Sequence, residues 1–161
     1  MKRWASEKIK YLLLVLVMIF LIIGCQSEET SKTMVCSRTI NQDAISMDLK
    51  YTVTYKWKYV EKVESIEKIT TDDTTVLDTY KQAVETTYQP YSKIDNYSYD
   101  VKVEGNTLIS TVTADYTKID YKKMLEVDTA NQQIFTDDGK VKLETIESFY
   151  TKLGTNCTKD K

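Results

Sequence analysis

The feature that most constrains the fold is an uninterrupted alternation over residues 45–59, "ISMDLKYTVTYKWKY". Every second side chain from Ile45 through Trp57 to Tyr59 is apolar or aromatic, and the side chains between them are polar or charged. A period of two residues predicts a β-strand that places one face on a core and the other in water. A strand of this length needs hydrogen-bonded neighbours, so we expect it inside an antiparallel sheet.

Two shorter runs flank the long strand. "MVCSRTI" precedes it and "VEKVESIEKI" follows it. The aliphatic residues of the second run recur at every third position, which also suits a helix. Because β-branched residues dominate this run and the long strand needs a partner, we predict a strand there as well.

Cap and turn residues mark the elements that follow. Asp72-Asp73 supply helix-start chemistry, and Pro90 ends the regular part of that helix. Gly105-Asn106 is a good two-residue turn between two alternating runs, which predicts a hairpin. Asp120 can begin a short helix, and Gly154 stands where a last helix should stop.

The predicted order of elements is therefore βββ-α-ββ-α(α). This order predicts an α+β fold in a single domain over residues 34–161. An antiparallel sheet of about five strands would carry the helices packed on one face, because each alternating strand offers only one apolar face.

The first segment of the chain has the organisation of a secretory signal. Its apolar run, residues 12–23, is twelve residues long, whereas a bilayer-spanning helix needs roughly 20. Four basic residues and one acidic residue precede the run. A basic leader followed by a short apolar core predicts a signal peptide over residues 1–24.

The end of this signal, "IIGC", resembles the bacterial lipobox, in which an aliphatic residue and a small residue precede a cysteine. The resemblance implies that Cys25 receives a diacylglycerol and becomes the first residue of the processed chain. An ordinary secretory signal is the alternative, but it would need an A-x-A-like cleavage site, and none is visible.

Two acyl chains are the threshold for stable membrane anchoring. The polar stretch after the cysteine, "QSEETSKT", has no apolar residue, so residues 25–33 are predicted to form a flexible tether. We therefore expect an extracytoplasmic protein whose partner is a bacterial membrane, reached through the lipid anchor. In a Gram-positive cell it would lie on the outer face of the cell membrane.

The other two cysteines, Cys36 and Cys157, stand near the two ends of the predicted domain. An even pair in an exported protein predicts a disulfide, and this one would enclose about 120 residues. Two free, buried thiols are the alternative. The spacing of the cysteines and the lack of any histidine argue against a C-x-x-C redox site or a zinc site.

The composition argues against several functions. Without the leader, 18 basic and 23 acidic side chains remain, a net charge of −5 with no basic run, which disfavours nucleic-acid binding. No histidine, G-x-S-x-G or H-E-x-x-H pattern is present, so no catalytic residue and no cofactor is predicted. Asp72-Asp73 and Asp137-Asp138 lack calcium-loop spacing, so no metal site is predicted.

Tyrosine is unusually abundant, and four of these residues fall within "YQPYSKIDNYSY": Tyr88, Tyr91, Tyr97 and Tyr99. Clustered aromatic side chains can bind a sugar ring or a protein partner. The alternative is core packing, because Tyr97 and Tyr99 share the apolar parity of their strand and Tyr88 lies on the apolar stripe of its helix.

Several of these stretches together resemble the YehR-like bacterial lipoproteins, a family of unknown function. They are the lipobox leader, "DLKYTVTYK", "LDTYKQAVETTYQPY", "YDVKVEGNTLISTVTADYTKID" and the final helix. The resemblance covers residues 34–161 and implies an α+β fold and an envelope location, without catalytic residues.

The functional expectation is a non-enzymatic binding or interaction module whose partner is an unknown protein, glycan or small molecule. Two alternatives remain open: an envelope enzyme that uses carboxylates or a Ser/Lys pair, and an accessory structural subunit of a membrane complex.

Overall fold

A computed structural model describes residues 29–160. Three α-helices and seven β-strands make up most of this part of the chain. The helices are α1 (Thr74–Tyr88), α2 (Tyr121–Val127) and α3 (Leu143–Lys152), and the strands are β1 (Lys32–Gln42), β2 (Ile45–Lys56), β3 (Tyr59–Thr70), β4 (Tyr97–Glu104), β5 (Thr107–Asp115), β6 (Val141–Lys142) and β7 (Asn156–Lys159).

All seven strands belong to one antiparallel sheet with the order β4-β5-β3-β2-β1-β7, and β6 pairs with the start of β3. The first three strands form a meander, and the β4–β5 hairpin joins it through β5. The chain then returns across the sheet, and β7 pairs with β1. The first and last strands of the described chain are therefore neighbours.

The prediction of about five strands in the order βββ-α-ββ-α(α) was wrong. The sheet has seven strands, because β6 precedes the last helix and β7 follows it. Neither strand has an alternating pattern of apolar and polar residues that would predict it. β6 has only two residues, and β7 has the sequence "NCTK". Both form by pairing with strands distant in sequence, which a local pattern does not report.

The long alternating strand also ends earlier than its pattern indicated. β2 stops at Lys56, and Trp57-Lys58 form a two-residue turn into β3. Trp57, which the alternation placed on the covered face, is 68% exposed. Strand pairing overrides the alternation here, because a β-bulge beside Tyr55 shifts the register at this end of the β2–β3 ladder.

The predicted cap and turn residues are confirmed. The Asp73 carboxylate accepts hydrogen bonds from the backbone N–H groups of Thr75 and Val76 at the start of α1. The Asp120 carboxylate accepts one such bond, from the backbone N–H of Lys122, at the start of α2. Gly154 follows α3 with a φ of 77°, a conformation that glycine adopts without steric cost.

Two hydrophobic clusters pack on the same face of the sheet. We call them the large cluster, which α3 covers, and the small cluster, which α1 covers. The large cluster contains Met34, Cys36, Tyr51, Val53, Tyr55, Val60, Val63, Val141, Leu143, Ile146 and Tyr150. The small cluster contains Ile69, Leu77 and Leu108, with Ile45, Met47, Tyr80 and Val101 against it. Val63 and Ile69 have the same parity on β3, so α1 and α3 pack on the same face of the sheet.

The N-terminal segments are only partly described. The predicted signal peptide, residues 1–24, and Cys25 lie outside the described residues. β1 begins at Lys32, so the last two residues of the predicted tether, 25–33, belong to the sheet. Within residues 29–160, no helix has the length and apolar composition needed to cross a membrane.

Candidate functional site

A disulfide joins β1 and β7, the first and last strands of the described chain. Cys36 on β1 and Cys157 on β7 stand opposite each other in the ladder, and their sulfur atoms are bonded. The bond links residues 121 positions apart, as the sequence predicted. A disulfide of this kind is typical of an oxidising, extracytoplasmic environment.

The four clustered tyrosines form two ring pairs rather than one flat platform. The rings of Tyr88 and Tyr99 are 6.2 Å apart between centroids, and those of Tyr91 and Tyr97 stack at 5.0 Å. All four side chains are half-buried. They join the end of α1 and the 3₁₀ turn after it to strand β4, so packing accounts for much of their surface.

Tyr91 also connects two elements by its hydroxyl, which donates a hydrogen bond of 2.6 Å to the Asp128 carboxylate beyond the end of α2. Burial, followed by this hydrogen bond and the charge of Asp128, raises the pKa of Tyr91. A neutral hydroxyl is needed as the donor, so the contact stays intact well above neutral pH.

A polar group lies where the covered face would be expected to be apolar. Glu67 has the same parity on β3 as Val63 and Ile69, so its side chain is on the helix-covered face between the two clusters. Its carboxylate accepts a hydrogen bond of 3.0 Å from the Tyr51 hydroxyl. An acid at such a position costs stability unless it is paired, and a sheet does not need it for folding.

Ser110 stands directly opposite Glu67 on β5 and is 3% exposed. Its hydroxyl has no hydrogen-bond partner among the described residues. A buried hydroxyl without a partner costs about 1–3 kcal/mol. Glu67 and Ser110 therefore form a polar pair with unused hydrogen-bonding capacity in the middle of the covered face.

Tyrosine rings border this polar pair on the neighbouring row of the sheet. Tyr99, Val112, Ser65 and Tyr51 are successive cross-strand partners in that row. Tyr88 reaches the same region from α1 and contacts Tyr99. We call the group formed by Tyr51, Glu67, Tyr88, Tyr99 and Ser110 the tyrosine seam.

The electrostatics of the seam agree with this placement. Burial, and then the negative charge of Glu67, raises the pKa of Tyr88 to about 12. The same two causes and the hydrogen bond to Glu67 raise the pKa of Tyr51. Tyr51 and Tyr88 are thus neutral hydrogen-bond donors at physiological pH.

The sequence pattern of β3 contains an indication of Glu67 that the prediction of site residues did not use. In "VEKVESIEKI" the positions of Val63, Ser65, Glu67 and Ile69 alternate, and an acid interrupts the apolar parity. Glu67 is thus a charged residue on the covered face of the sheet. Ser110 likewise interrupts the apolar parity of β5.

The densest carboxylates serve local structure. Asp73 caps α1, and Asp72 accepts a hydrogen bond from the Asn106 side chain. Asp138 pairs with Lys140 at 2.6 Å and accepts a bond from Thr136; these contacts lower the pKa of Asp138 to about 2. Residues 29–160 contain no group of three or more acidic or cysteine side chains placed to hold a metal ion.

Comparison with known proteins identifies the fold. No family model matches the chain, and no curated protein is significantly similar to it. An NMR structure of the Escherichia coli YehR protein is 18% identical, with a TM-score of 0.54, over 85% of this chain and 96% of that one. An NMR structure of a protein from Streptococcus pneumoniae TIGR4 is 16% identical, with a TM-score of 0.53, over 84% and 90%.

At these identities the likeness shows the fold alone. The chain has a YehR-like fold, which confirms that part of the resemblance seen in the sequence. The names of the two proteins carry no activity and no ligand, so the site must be interpreted from its own chemistry.

Proposed function

We propose that this protein is a lipoprotein held outside the cytoplasm by a diacylated Cys25, and that it acts there as a non-enzymatic binding module. The lipobox-like "IIGC" supports the anchor, and the Cys36–Cys157 disulfide supports the compartment. The ligand site we propose is the tyrosine seam.

One observation carries the choice of site: Glu67 and Ser110 oppose each other on the covered face, and the Ser110 hydroxyl has no partner. Two apolar residues would stabilise the domain more than this pair does. A polar pair kept between two hydrophobic clusters is therefore explained by recognition rather than by folding.

The chemistry of the seam favours a small, hydrogen-bond-donating ligand that carries a positive charge. Glu67 supplies a negative charge, and tyrosine rings favour both a cation and the apolar face of a sugar ring. An amino sugar combines these features, since it has an ammonium group and several hydroxyls on one ring.

Glucosamine and N-acetylglucosamine are the two probes, because acetylation replaces the ammonium group by a neutral amide on the same sugar ring. Titrated into the isotopically labelled processed protein, glucosamine should shift backbone NMR signals of β3 and β5 at millimolar concentration, and N-acetylglucosamine should bind at least about tenfold more weakly. Glu67→Gln should abolish the difference. Glu64→Gln is the control, since Glu64 lies on the opposite face of the same strand and pairs with Lys62. Unchanged seam signals with both sugars would contradict the proposed ligand class.

The anchor has a separate test. The wild-type protein should be recovered in the membrane fraction, and its processed N-terminal peptide should have the mass of a diacylated cysteine. Cys25→Ser should lose the lipid and leave the leader uncleaved. A wild-type chain whose Cys25 is bare in the mass spectrum would refute the anchor and leave the seam proposal standing.

A further inference from the structure

The most unusual surface residue of the described chain is Trp57. It occupies the first position of the two-residue turn between β2 and β3 with a φ of 59°, and it is 68% exposed. A positive φ at this turn position normally selects glycine, and for a bulky residue it is a strained conformation. Neither packing nor turn geometry explains an indole here, and such outliers concentrate at functional positions.

The chain enters the domain beside this turn. Lys32, the first residue of β1, pairs with Tyr55, two positions before Trp57. Glu29 lines a shallow depression together with Trp57, Lys58 and Tyr59. Cys25 lies four residues before Glu29, and four extended residues span at most about 14 Å. A lipid on Cys25 would therefore place the bilayer surface within reach of Trp57.

The charges around the turn suit an anionic surface. Lys56 and Lys58 flank Trp57, and within residues 29–160 neither of them forms an ion pair with a carboxylate. The rest of the domain is acidic, since the chain after residue 24 has a net charge of −5. This asymmetry would turn the lysine-bearing end toward an anionic membrane and the remainder away from it.

The acidic residues that line the depressions beside the turn are paired with lysines, and Glu29 in the first depression lies 4.0 Å from Lys32. A neighbouring depression of about 390 Å³ is lined by Trp57, Lys58 and four further charged side chains, Lys142, Glu144, Glu147 and Lys159. Glu147 pairs with Lys159 at 2.6 Å, and Glu144 with Lys142 at 3.9 Å. These carboxylates therefore do not cancel the charge of Lys56 and Lys58.

We propose that residues 56–59, the Trp57 tip, dock into the headgroup region of the membrane that carries the anchor. Tryptophan is enriched at membrane–water interfaces, and lysine is attracted to anionic headgroups. The contact rests on the proposed lipid anchor, which supplies proximity. It would orient the sheet with the turn at Gly105-Asn106, at the far end of the sheet, pointing away from the bilayer.

Trp57 also provides the test, because it is the only tryptophan after residue 24. The processed lipoprotein is reconstituted into vesicles of equal parts phosphatidylglycerol and phosphatidylcholine, with a nitroxide placed near the headgroup or near the chain end of one lipid. We expect the shallow nitroxide to quench Trp57 emission about twofold more than the deep one, as for an interfacial indole.

Lys56→Glu combined with Lys58→Glu should remove this quenching, although the protein still floats with the vesicles. Lys50→Glu combined with Lys68→Glu is the matched control with the same charge change, since both lysines are exposed on strands far from the tip. It should leave the quenching unchanged. Floating protein with unquenched Trp57 would overturn the docking alone, whereas protein that does not float would overturn the anchor on which it rests.

Discussion

Two hairpin turns at opposite ends of the sheet have nearly the same φ at their first position and different residues there. The β2–β3 turn has Trp57 at a φ of 59°, and the β4–β5 turn has Gly105 at a φ of 61°. Glycine adopts this conformation without steric cost, whereas an L-residue pays about 1–2 kcal/mol for it. Selection for folding alone would favour glycine at this turn position. We therefore attribute Trp57 to a functional requirement.

The two turns also differ in how strongly the surrounding part of the sheet is stabilised. The Gly105 end has the small cluster, and two hydrogen bonds hold its turn. The Asn106 backbone carbonyl accepts one from the Thr71 N–H, and the Asn106 side-chain amide donates one to the Asp72 carboxylate. The Trp57 end has the large cluster, to which the disulfide belongs. The strained turn thus stands on the more heavily stabilised end of the sheet, which can tolerate its cost.

The largest expected effect comes from the disulfide. Replacing Cys36 and Cys157 together by alanine should lower the free energy of unfolding by about 2–5 kcal/mol, because the bond closes a loop of 121 residues in the unfolded chain. Urea denaturation measures the change, and reduced wild-type protein should show a similar loss. A loss below about 1 kcal/mol in both would mean that the large cluster holds this end without the bond.

A second prediction concerns the small cluster. Leu108 is 1% exposed in it, so Leu108→Ala should cost about 2–5 kcal/mol in the free energy of unfolding. Leu153→Ala removes the same atoms from a side chain that is 40% exposed and should cost much less. Equal losses in urea denaturation would show that the small cluster is not the core of the Gly105 end.

The sequence predicted the parts of this comparison that depend on local chemistry. Asp73, Asp120 and Gly154 act as caps, and Gly105-Asn106 turns the chain, because each needs only its neighbours in sequence. The end of β2 depends instead on a bulge in its pairing with β3, so alternation placed Trp57 in the core.

Pairing between strands distant in sequence also explains why the sequence did not predict β7 or two residues of the proposed site, Glu67 and Ser110. β7 forms against β1, which lies more than a hundred residues earlier, and its polar sequence gives no local indication. The sequence pointed to Tyr88 and Tyr99, which belong to the tyrosine seam. Glu67 and Ser110 were not singled out, because only the register of β3 against β5 makes them neighbours.

The third prediction uses two tyrosines that pack in the large cluster. Burial raises the pKa of Tyr116 to about 12 and, more strongly, that of Tyr150. Above pH 10 the unfolded chain loses these protons while the folded state keeps them, so stability is complete below pH 10 and falls as the pH rises. From pH 10 to pH 11 each tyrosine should cost about 1 kcal/mol.

The check is urea denaturation of the wild type and of a variant with both Tyr116→Phe and Tyr150→Phe. Phenylalanine has no proton to lose, so the variant should lose about 2 kcal/mol less than the wild type across this interval. Parallel pH profiles for the two proteins would show that neither tyrosine is shielded at the Trp57 end.

The smallest effect addresses the comparison of the turns directly. Trp57→Gly should raise the free energy of unfolding by about 1 kcal/mol, because it relieves the strained φ and removes a side chain that is mostly in water. Gly105→Ala should lower the free energy of unfolding by about 1 kcal/mol; the open space around Gly105 leaves its φ as the cause. Urea midpoints of the two variants therefore move in opposite directions. If Trp57→Gly were instead destabilising, the indole would be part of the fold, and its exposure at the end where the chain enters would no longer need a membrane to explain it.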